Sequence, residues 1–514
     1  MSTISRPTAL ISVSDKRGLA EFGRLLIDHG WRILSTGGTA AVLRQAGLAV
    51  TDVAEHTGFP EIMDGRVKTL HPTIHAGILA RCDTDHPILA ELDIDPIDLV
   101  VVNLYPFAET AARSDCTIDE AIEQIDVGGP AMIRAAAKNH ARVCVLCDPD
   151  DYAEVGALLP DRPGLELRRR LAARAFRHTA DYDAQISRYI GAGDPTEAMP
   201  ARLELDLERG MDLRYGENPH QAAAVYRPRG QAACGLAGTI PRQGKPLSYN
   251  NLLDADAAWR AARQLGDRPG CLIIKHTNPC GAALGDTLVQ AWQRALACDP
   301  TSAFGGIAAF NRTVDRDLAA SLVERFLEVV IAPEVTADAL EVFSAKPRLR
   351  VLVPSPAPEH ALELKAIDGG WLVQQPDRPD ADRAHWSVVT EARPEPDTLE
   401  DLAFAWSVVG MVRSNAIVYA REQATVGIGA GQMSRIDSAR FGVIKAEDAG
   451  QSLDGSVMAS DAFFPFADSI EAAAGHGIRA VIQPGGSMRD SEVIDACNRR
   501  GIAMVLTGKR HFRH

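Results

Sequence analysis

The chain has 514 residues, 46% of them hydrophobic and 24% charged; these are globular proportions that exclude a disordered or fibrous chain, and at about 150 residues per domain the length allows about three compact units. Lys and Arg total 54 against 68 Asp and Glu, a formal net charge of −14, which repels phosphate backbones and argues against nucleic-acid binding. An aromatic content of 5% argues equally against a base-stacking surface.

The first residues, Met1 to Pro7, lead straight into the apolar run Ala9–Val13. That run is too short for a signal-peptide core, and no stretch reaches the 18 apolar residues of a membrane span. A cytoplasmic protein without membrane association is expected. Thr8–Val13 reads as a strand. Leu19, Phe22, Leu25 and Leu26 give 18–29 a helical period, Trp31–Leu34 returns to strand, and Ala40–Ala46 to helix. Ile97–Val102 and Val143–Leu146 are uniformly apolar, as in strands of a parallel sheet buried on both faces. The alternation predicts a doubly wound α/β domain, closed by a helix over Leu165–Tyr189. The segment Gly191–Pro200 is rich in breakers, and a boundary there divides the chain into 1–195 and 196–514. Beyond it, strands are expected at Cys271–Ile274, Ile307–Phe310, Val426–Ile428, Ala480–Ile482 and Met504–Leu506, with helices at Asp286–Leu296 and Asp317–Val329. Pro354–Glu359 is a second weak point. No short-period repeat is visible, which excludes a solenoid.

Nine scattered cysteines, an odd number, indicate a reducing compartment rather than a disulfide framework. Cys144 and Cys147 form a C-x-x-C, but within an apolar run, so they read as buried thiols rather than a redox or metal pair. No second C-x-x-C completes a zinc site.

Ligands of open α/β sheets bind at the carboxyl ends of strands. Four polar clusters follow strands in the first part: Ser12, Ser14, Asp15 and Lys16; Ser35-Thr36-Gly37-Gly38-Thr39; Asn103-Leu-Tyr-Pro-Phe107; and Asp126-Val-Gly-Gly129. In the Ser35–Thr39 loop, two glycines, three hydroxyls and a following helix suit an anion; a tight strand-to-helix turn is the alternative. It is not a Walker loop, because no Gly-Lys-Ser/Thr follows. Lys16 and the basic loop Gly65–Pro72, with Arg66 and Lys68, favour an anion site over solvated surface charge. In the second part Arg214–Gln221 is a polar loop, and the strand at Cys271–Ile274 runs into Lys275-His-Thr-Asn-Pro-Cys-Gly281. Lys275 and His276 at a strand end can supply charge and general-base chemistry, or can be ordinary surface residues. A zinc deaminase carries H-x-E and P-C-x-x-C. Here Pro279-Cys280 is present, but position 278 is Asn and position 283 is Ala, so that ligand set is incomplete.

Taken together, Ser12–Lys16, Ser35–Thr39, Gly65–Pro72, Asn103–Phe107, Arg134–His140, Arg214–His220, Lys275–Gly281, Ser302–Gly306 and Asp461–Phe466 occur in order along the chain. In this they resemble the bifunctional purine biosynthesis family, which joins phosphoribosylaminoimidazolecarboxamide (AICAR) formyltransferase to inosine monophosphate (IMP) cyclohydrolase. The resemblance spans essentially the whole chain. It implies a methylglyoxal-synthase-like cyclohydrolase domain over 1–195, then a transformylase region over 196–514 built from two cytidine-deaminase-like units without zinc. It also implies a homodimer with transformylase sites shared across the interface. Its small-molecule substrates would be AICAR, formyl-AICAR (FAICAR), IMP and the cosubstrate 10-formyltetrahydrofolate; it leaves a monovalent cation unassigned.

Carried over residue by residue, the resemblance places Lys275 and His276 as the catalytic pair of formyl transfer. Arg214, Tyr215, Asn251, Phe304, Gly305, Asn415, Phe463, Arg510 and Phe512 match substrate positions. Lys68, Tyr105, Asp126 and Lys138 match the catalytic positions of ring closure. Ser14, Lys16, Ser35, Thr36, Gly37, Gly38, Thr39, Arg66, Thr69, Asn103, Gly128 and Gly129 match its substrate loops. Two other classes compete: a regulatory protein that senses a small phosphorylated ligand, and a zinc deaminase.

Overall fold

The computed structural model describes residues 6–113, 115–191, 199–358, 362–377 and 383–514. The chain divides into two units, Met1–Met199 and Pro200–His514. Most of the predicted breaker segment, 192–198, and Glu359 at the second weak point lie outside the described residues.

In the first unit, strands β1 (Thr8–Ser12), β2 (Arg32–Ser35), β3 (Thr51–Asp52), β4 (Leu99–Val102) and β5 (Cys144–Leu146) form one sheet in the order β3-β2-β1-β4-β5. All pairs are parallel. Leu10, Leu34, Val100 and Val145 enter one core with the helices Pro72–Leu79, Gly128–Lys138 and Leu165–Gly191. Their neighbours Ala9, Ile11, Ile33, Leu99, Val101 and Leu146 enter a second core with the helices Leu19–Asp28 and Gly37–Gln45. Strands apolar on both faces are thus explained by helices on both sides. The strand order reverses between β1 and β4, the place where such sheets open a crevice. The helix expected at Ala40 begins three residues earlier, at Gly37, so the glycine pair forms its first turn.

The second unit opens with an antiparallel hairpin, β6 (Leu207–Asp212) and β7 (Ala224–Pro228). Its main sheet has eleven strands. The first half supplies β8 (Gly270–Lys275), β9 (Asn278–Leu284), β10 (Ile307–Phe310), β11 (Val329–Ile331) and β12 (Arg350–Leu352). A second hairpin follows, β13 (Glu363–Ile367) and β14 (Gly370–Gln374), then the short edge strand β15 (Ser387–Val388). The second half supplies β16 (Ile417–Arg421), β17 (Ala424–Gly429), β18 (Val457–Ser460), β19 (Ala480–Gln483) and β20 (Ala503–Leu506). The order is β12-β11-β10-β8-β9-β17-β16-β18-β19-β20-β15. Each half therefore orders its own strands second, first, third, fourth, fifth. The helices repeat as well: Tyr249–Ala262 precedes β8 as Pro396–Val409 precedes β16, and Leu288–Cys298 follows β9 as Arg435–Asp448 follows β17.

One core runs along a whole face of this sheet, from Leu272, Ile274 and Ala309 to Val418, Ala459 and Ile482, under the helices Tyr249–Ala262 and Pro396–Val409. The other face carries two separate cores, one around Phe310 and Trp292, the other around Tyr419 and Phe464. In place of the helix expected over Asp317–Val329 there is a seven-residue helix, Arg316–Leu322, and the strand β11. The run Val329-Val-Ile331 is β-branched and buried on both faces, and sheet packing overrides helical spacing there. After Lys275 the chain makes a two-residue turn and enters β9, which continues to Leu284.

The duplication extends to backbone contacts. A Cβ on Gly281 of β9 would stand 1.9 Å from the Ala295 carbonyl oxygen, and one on Gly427 of β17 would stand 2.2 Å from that of Gly442. Each glycine lets the following helix lie directly on its strand. We expect Gly281→Ala and Gly427→Ala each to cost more than about 3 kcal/mol, beyond ordinary overpacking, because backbone cannot yield as a side chain does. Chemical denaturation checks this; an unchanged midpoint in either variant would contradict the packing described.

Candidate active sites

The crevice of the first unit is built on Asn103, just past β4. Its Oδ1 accepts from the N–H groups of Ser14 (2.6 Å) and Asp15 (2.9 Å), and its Nδ2 donates to the Asp15 carbonyl. This ties the polar turn after β1 to the end of β4. Lys16 Nζ donates to the Val13 carbonyl at 2.8 Å, and burial pushes its ammonium pKa down.

The Ser35–Thr39 loop differs from its reading as a set of free hydroxyl donors. Ser35 Oγ donates to the Ile11 carbonyl, and Thr39 Oγ1 both accepts from Val13 N–H and donates to its carbonyl. Those two hydroxyls hold the loop to β1. Gly37 (φ +46°) and Gly38 have no atom within 4 Å of an added Cβ. What the loop offers an anion is open backbone at the start of the helix Gly37–Gln45.

A second cluster gathers at the start of the helix Gly128–Lys138. Asp126 Oδ1 accepts from Gly129 N–H at 2.8 Å, and Tyr182 OH accepts from Asp126 N–H. A Cβ on Gly128 would lie 2.7 Å from Thr69 Oγ1. Burial raises the Asp126 carboxyl pKa, partly offset by the Gly129 hydrogen bond and the Lys68 ammonium. A carboxylate held above its ordinary range beside a lysine suits proton exchange. Tyr105 is 45% exposed and lies near Tyr182, whose pKa is raised chiefly by burial, and Arg66 pairs with Glu123. Lys138 ends the helix that Gly128 begins, about 15 Å along its axis by helical rise.

In the second unit Lys275 ends β8, and His276 and Thr277 form the turn into β9. Both turn residues are left-handed, at φ +51° and +63°. A two-residue hairpin loop of this kind favours Asn-Gly, and His-Thr there costs on the order of 1–3 kcal/mol per residue. Two N–H groups of the turn are held by one carboxylate: Asp254 Oδ2 accepts from His276 (3.2 Å) and Oδ1 from Thr277 (2.7 Å). Lys275 Nζ donates to the Phe304 carbonyl at 2.6 Å.

Lys275 and His276 line a cavity of about 360 Å³ with Asn278, Cys280 and Asp299 from the first half and Gln432, Phe441 and Lys445 from the second. That is the size of a small ligand site. Lys445 Nζ donates to Asp299 Oδ2 at 2.9 Å. Burial alone would raise the Asp299 carboxyl pKa, but the Ser302 and Lys445 hydrogen bonds hold it below the ordinary range. Burial pushes the Cys280 and Cys298 thiols up to about 12, so both are protonated at neutral pH. Cys144 and Cys147 are pushed up to about 12 in the same way. Among the described residues, no three His, Cys, Asp or Glu side chains come together as a metal ion would need.

Some of the remaining sequence candidates of this unit are linked by hydrogen bonds to residues that line this cavity. Asn278 Oδ1 accepts from Arg413 N–H. Two residues on, Asn415 donates to the Gln432 carbonyl and accepts from Arg435. Arg435 forms a buried pair with Asp461. The Asp461 carbonyl accepts from His511 N–H, and the Arg513 carbonyl from Ser414 N–H, so Phe463 and the tail residues Arg510 and Phe512 share this neighbourhood. Arg510 stacks over Phe512 at 4.7 Å, as Arg214 does over Tyr215 at 5.3 Å. Tyr215 O accepts from Tyr249 N–H, beside Asn251, whose Oδ1 is engaged in the helix cap with Ser248. Phe304 is 64% exposed against Phe326, which also accepts the Gly305 N–H through its backbone.

Asp254, Lys445, Arg435 and Arg413 escaped the sequence reading. Each acts on partners 20 or more residues away, so no local pattern marks them.

A family model described as AICARFT/IMPCHase bienzyme matches residues 136–445, and one for the MGS-like domain matches residues 18–131. The bifunctional purine biosynthesis proteins PurH of Xanthomonas euvesicatoria pv. vesicatoria and of Xanthomonas axonopodis pv. citri are each 52% identical over 518 aligned positions, covering 98% of this chain and of theirs. A solved structure titled "Crystal structure of ForH" is 41% identical and covers 36% of this chain and all of its own, with a TM-score of 0.33. The paired α/β units, the Lys-His turn beside a cavity and full-length identity at this level all agree: the chain belongs to the AICARFT/IMPCHase bienzyme family and is a bifunctional formyltransferase and cyclohydrolase of purine (IMP) biosynthesis.

Proposed function

We infer that the two activities divide along the two units: cyclohydrolase on residues 1–195 and formyl transfer on residues 196–514. The observation that carries the second assignment is the position of Lys275 and His276 on a cavity that both halves of the large sheet line. There the AICAR 5-amino group, a weak nucleophile conjugated with its ring and carboxamide, attacks the formyl carbon of 10-formyltetrahydrofolate. His276 takes the amine proton, and Lys275 supplies positive charge to the developing oxyanion and positions the formyl group. Arg214 suits the nucleotide phosphate. Tyr215, Asn251, Phe304, Gly305, Asn415, Phe463, Arg510 and Phe512 bind substrate. Zinc has no part in this reading: where a zinc deaminase carries Glu and Cys, positions 278 and 283 are Asn and Ala.

In ring closure the FAICAR carboxamide nitrogen attacks the formyl carbon of the same molecule and water leaves, so the site chiefly folds the substrate into a near-attack shape. Asp126 accepts the carboxamide proton. Tyr105 and Lys138 serve the oxyanion and the departing water, and Lys68 acts beside Asp126. Ser14, Lys16, Thr36, Gly37, Gly38, Arg66, Thr69, Asn103, Gly128 and Gly129 hold the substrate, with Ser35 and Thr39 shaping the loop. The protein acts in the cytoplasm as a homodimer, without nucleic-acid or membrane partners; among the described residues no helix is long and apolar enough to cross a membrane.

Lys275→Ala and His276→Ala should each reduce formyl transfer by about 10²-fold or more, the scale of a positioned acid–base group, while cyclisation of supplied FAICAR survives. Steady-state assays of both steps on each variant check this, and near-normal transfer in both would end the assignment. Asp126→Asn should abolish cyclisation yet raise the thermal midpoint at neutral pH. The folded-state carboxyl pKa is raised chiefly by burial, so the stability this group contributes is present at low pH and lost as pH rises through that value. The gap between variant and wild type should therefore close on acidification. Lys138→Ala and Lys68→Ala should each reduce cyclisation by about 10²-fold. A fragment ending near Gly193 should cyclise FAICAR without folate, and one beginning near Met199 should transfer formyl but leave its product open. If the first fragment folds yet stays inert until the second is added, the division is wrong.

A further inference from the structure

The Lys275–His276 turn has a counterpart in the second half of its own unit. There Arg421, Glu422, Gln423 and Ala424 stand where Lys275, His276, Thr277 and Asn278 stand in the first: Arg421 pairs with Ala424 across a two-residue loop, as Lys275 does with Asn278. Glu422 and Gln423 are left-handed at φ +52° and +59°. Asp401, the sixth residue of the helix Pro396–Val409, accepts from both of their N–H groups, at 3.0 and 2.8 Å. Asp254 is likewise the sixth residue of the helix Tyr249–Ala262. Arg421 Nη1 donates to the Asp454 carbonyl, three residues before β18, as Lys275 Nζ donates to that of Phe304, three residues before β10.

The fold thus contains the same clamped turn twice, once bearing Lys-His on the cavity and once bearing Arg-Glu. Neither turn has the residues its backbone favours, and each is held by a carboxylate from the preceding helix. Asp401 also pairs with Arg479; among the described residues Asp254 has no cation partner, and its two hydrogen bonds go to the turn alone. We propose that Asp254 is a positioning residue for formyl transfer: its carboxylate fixes the left-handed His276–Thr277 turn and so sets where the His276 imidazole and Lys275 ammonium stand. This rests on the reading of Lys275 and His276 given above. Asp401, doing the same work on the other turn, is its built-in control.

The experiment uses the full-length chain. Formyl-transfer kcat and KM, cyclisation of FAICAR and the thermal midpoint are measured for Asp254→Asn, Asp401→Asn, His276→Ala and the double variant Asp254→Asn/Thr277→Gly. The amide retains one acceptor oxygen and turns a donor toward the second N–H. Asp254→Asn should lower transfer kcat by about 10²-fold, the scale of a misplacement near 1 Å, with KM for both substrates and the cyclisation rate within about threefold of wild type. Asp401→Asn should lower the thermal midpoint at least as much but leave transfer kcat within about threefold. Glycine at 277 favours the left-handed backbone without the clamp, so the double variant should regain at least tenfold of the lost kcat. A merely structural role would move the midpoint and leave the kcat of folded enzyme unchanged. Normal transfer in Asp254→Asn with an inactive His276→Ala overturns the proposal and leaves the formyl-transfer reading standing. Loss in Asp254→Asn without recovery in the double variant overturns positioning through the turn. Normal transfer in His276→Ala overturns the reading itself.

Discussion

The second unit depends on one seam, the pairing of β9 with β17. Ala424 stands opposite Ala283, and the Thr425 hydroxyl both accepts from Ala282 N–H and donates to its carbonyl. This junction joins five strands on one side to six on the other in one continuous sheet with one continuous core on one face. It also makes the cavity, because Lys275, His276 and Asp299 come from one side of the seam and Gln432, Phe441 and Lys445 from the other. Either half alone would leave a row of unpaired strand edge and an open wall. Assembly of the site and burial of the core are therefore the same event.

Around that seam the polar groups are arranged to hold geometry rather than to add bulk stability. The Arg435–Asp461 pair has side chains 6% and 0% exposed, a burial whose desolvation cost consumes most of its Coulombic gain. What it accomplishes is orientation: Arg435 reaches Asn415 and Ser460 as well, so a single guanidinium fixes three groups near the tail. The left-handed His276–Thr277 turn follows the same logic. Its backbone is unfavourable for those residues and persists because Asp254 overdetermines it. Departures from local preference concentrate where reacting groups must be held.

The first unit solves an analogous problem with different means. Its crevice arises from topology alone, at the point where strand order reverses between β1 and β4. Neutral groups do the bracing there: Asn103 ties two loops, and the Ser35 and Thr39 hydroxyls are spent on β1. This leaves backbone N–H groups to face an anion, while the ionisable residues cluster separately around Asp126.

By itself the sequence determined the alternation of the first unit, its fully buried strands and the order of motifs that marks the family. Those signals are local: apolar runs such as Val100–Val102 and turns such as Ser35–Thr39 need no distant partner to be recognised. It also located Lys275 and His276 at the end of a strand. It did not show that the next residues turn at once into β9, because Asn278-Pro-Cys-Gly carries no strand pattern. Its strand character comes from pairing with β8 and from Gly281 admitting a helix. The family resemblance implied two like units, but the repeated turn was hidden, since Lys-His-Thr and Arg-Glu-Gln share only their leading cation and are matched by backbone conformation, by the carbonyls that Lys275 and Arg421 reach and by Asp254 and Asp401. Motif and strand patterns are written along the chain, but the distances that assemble a site run across it, and only tertiary packing sets them.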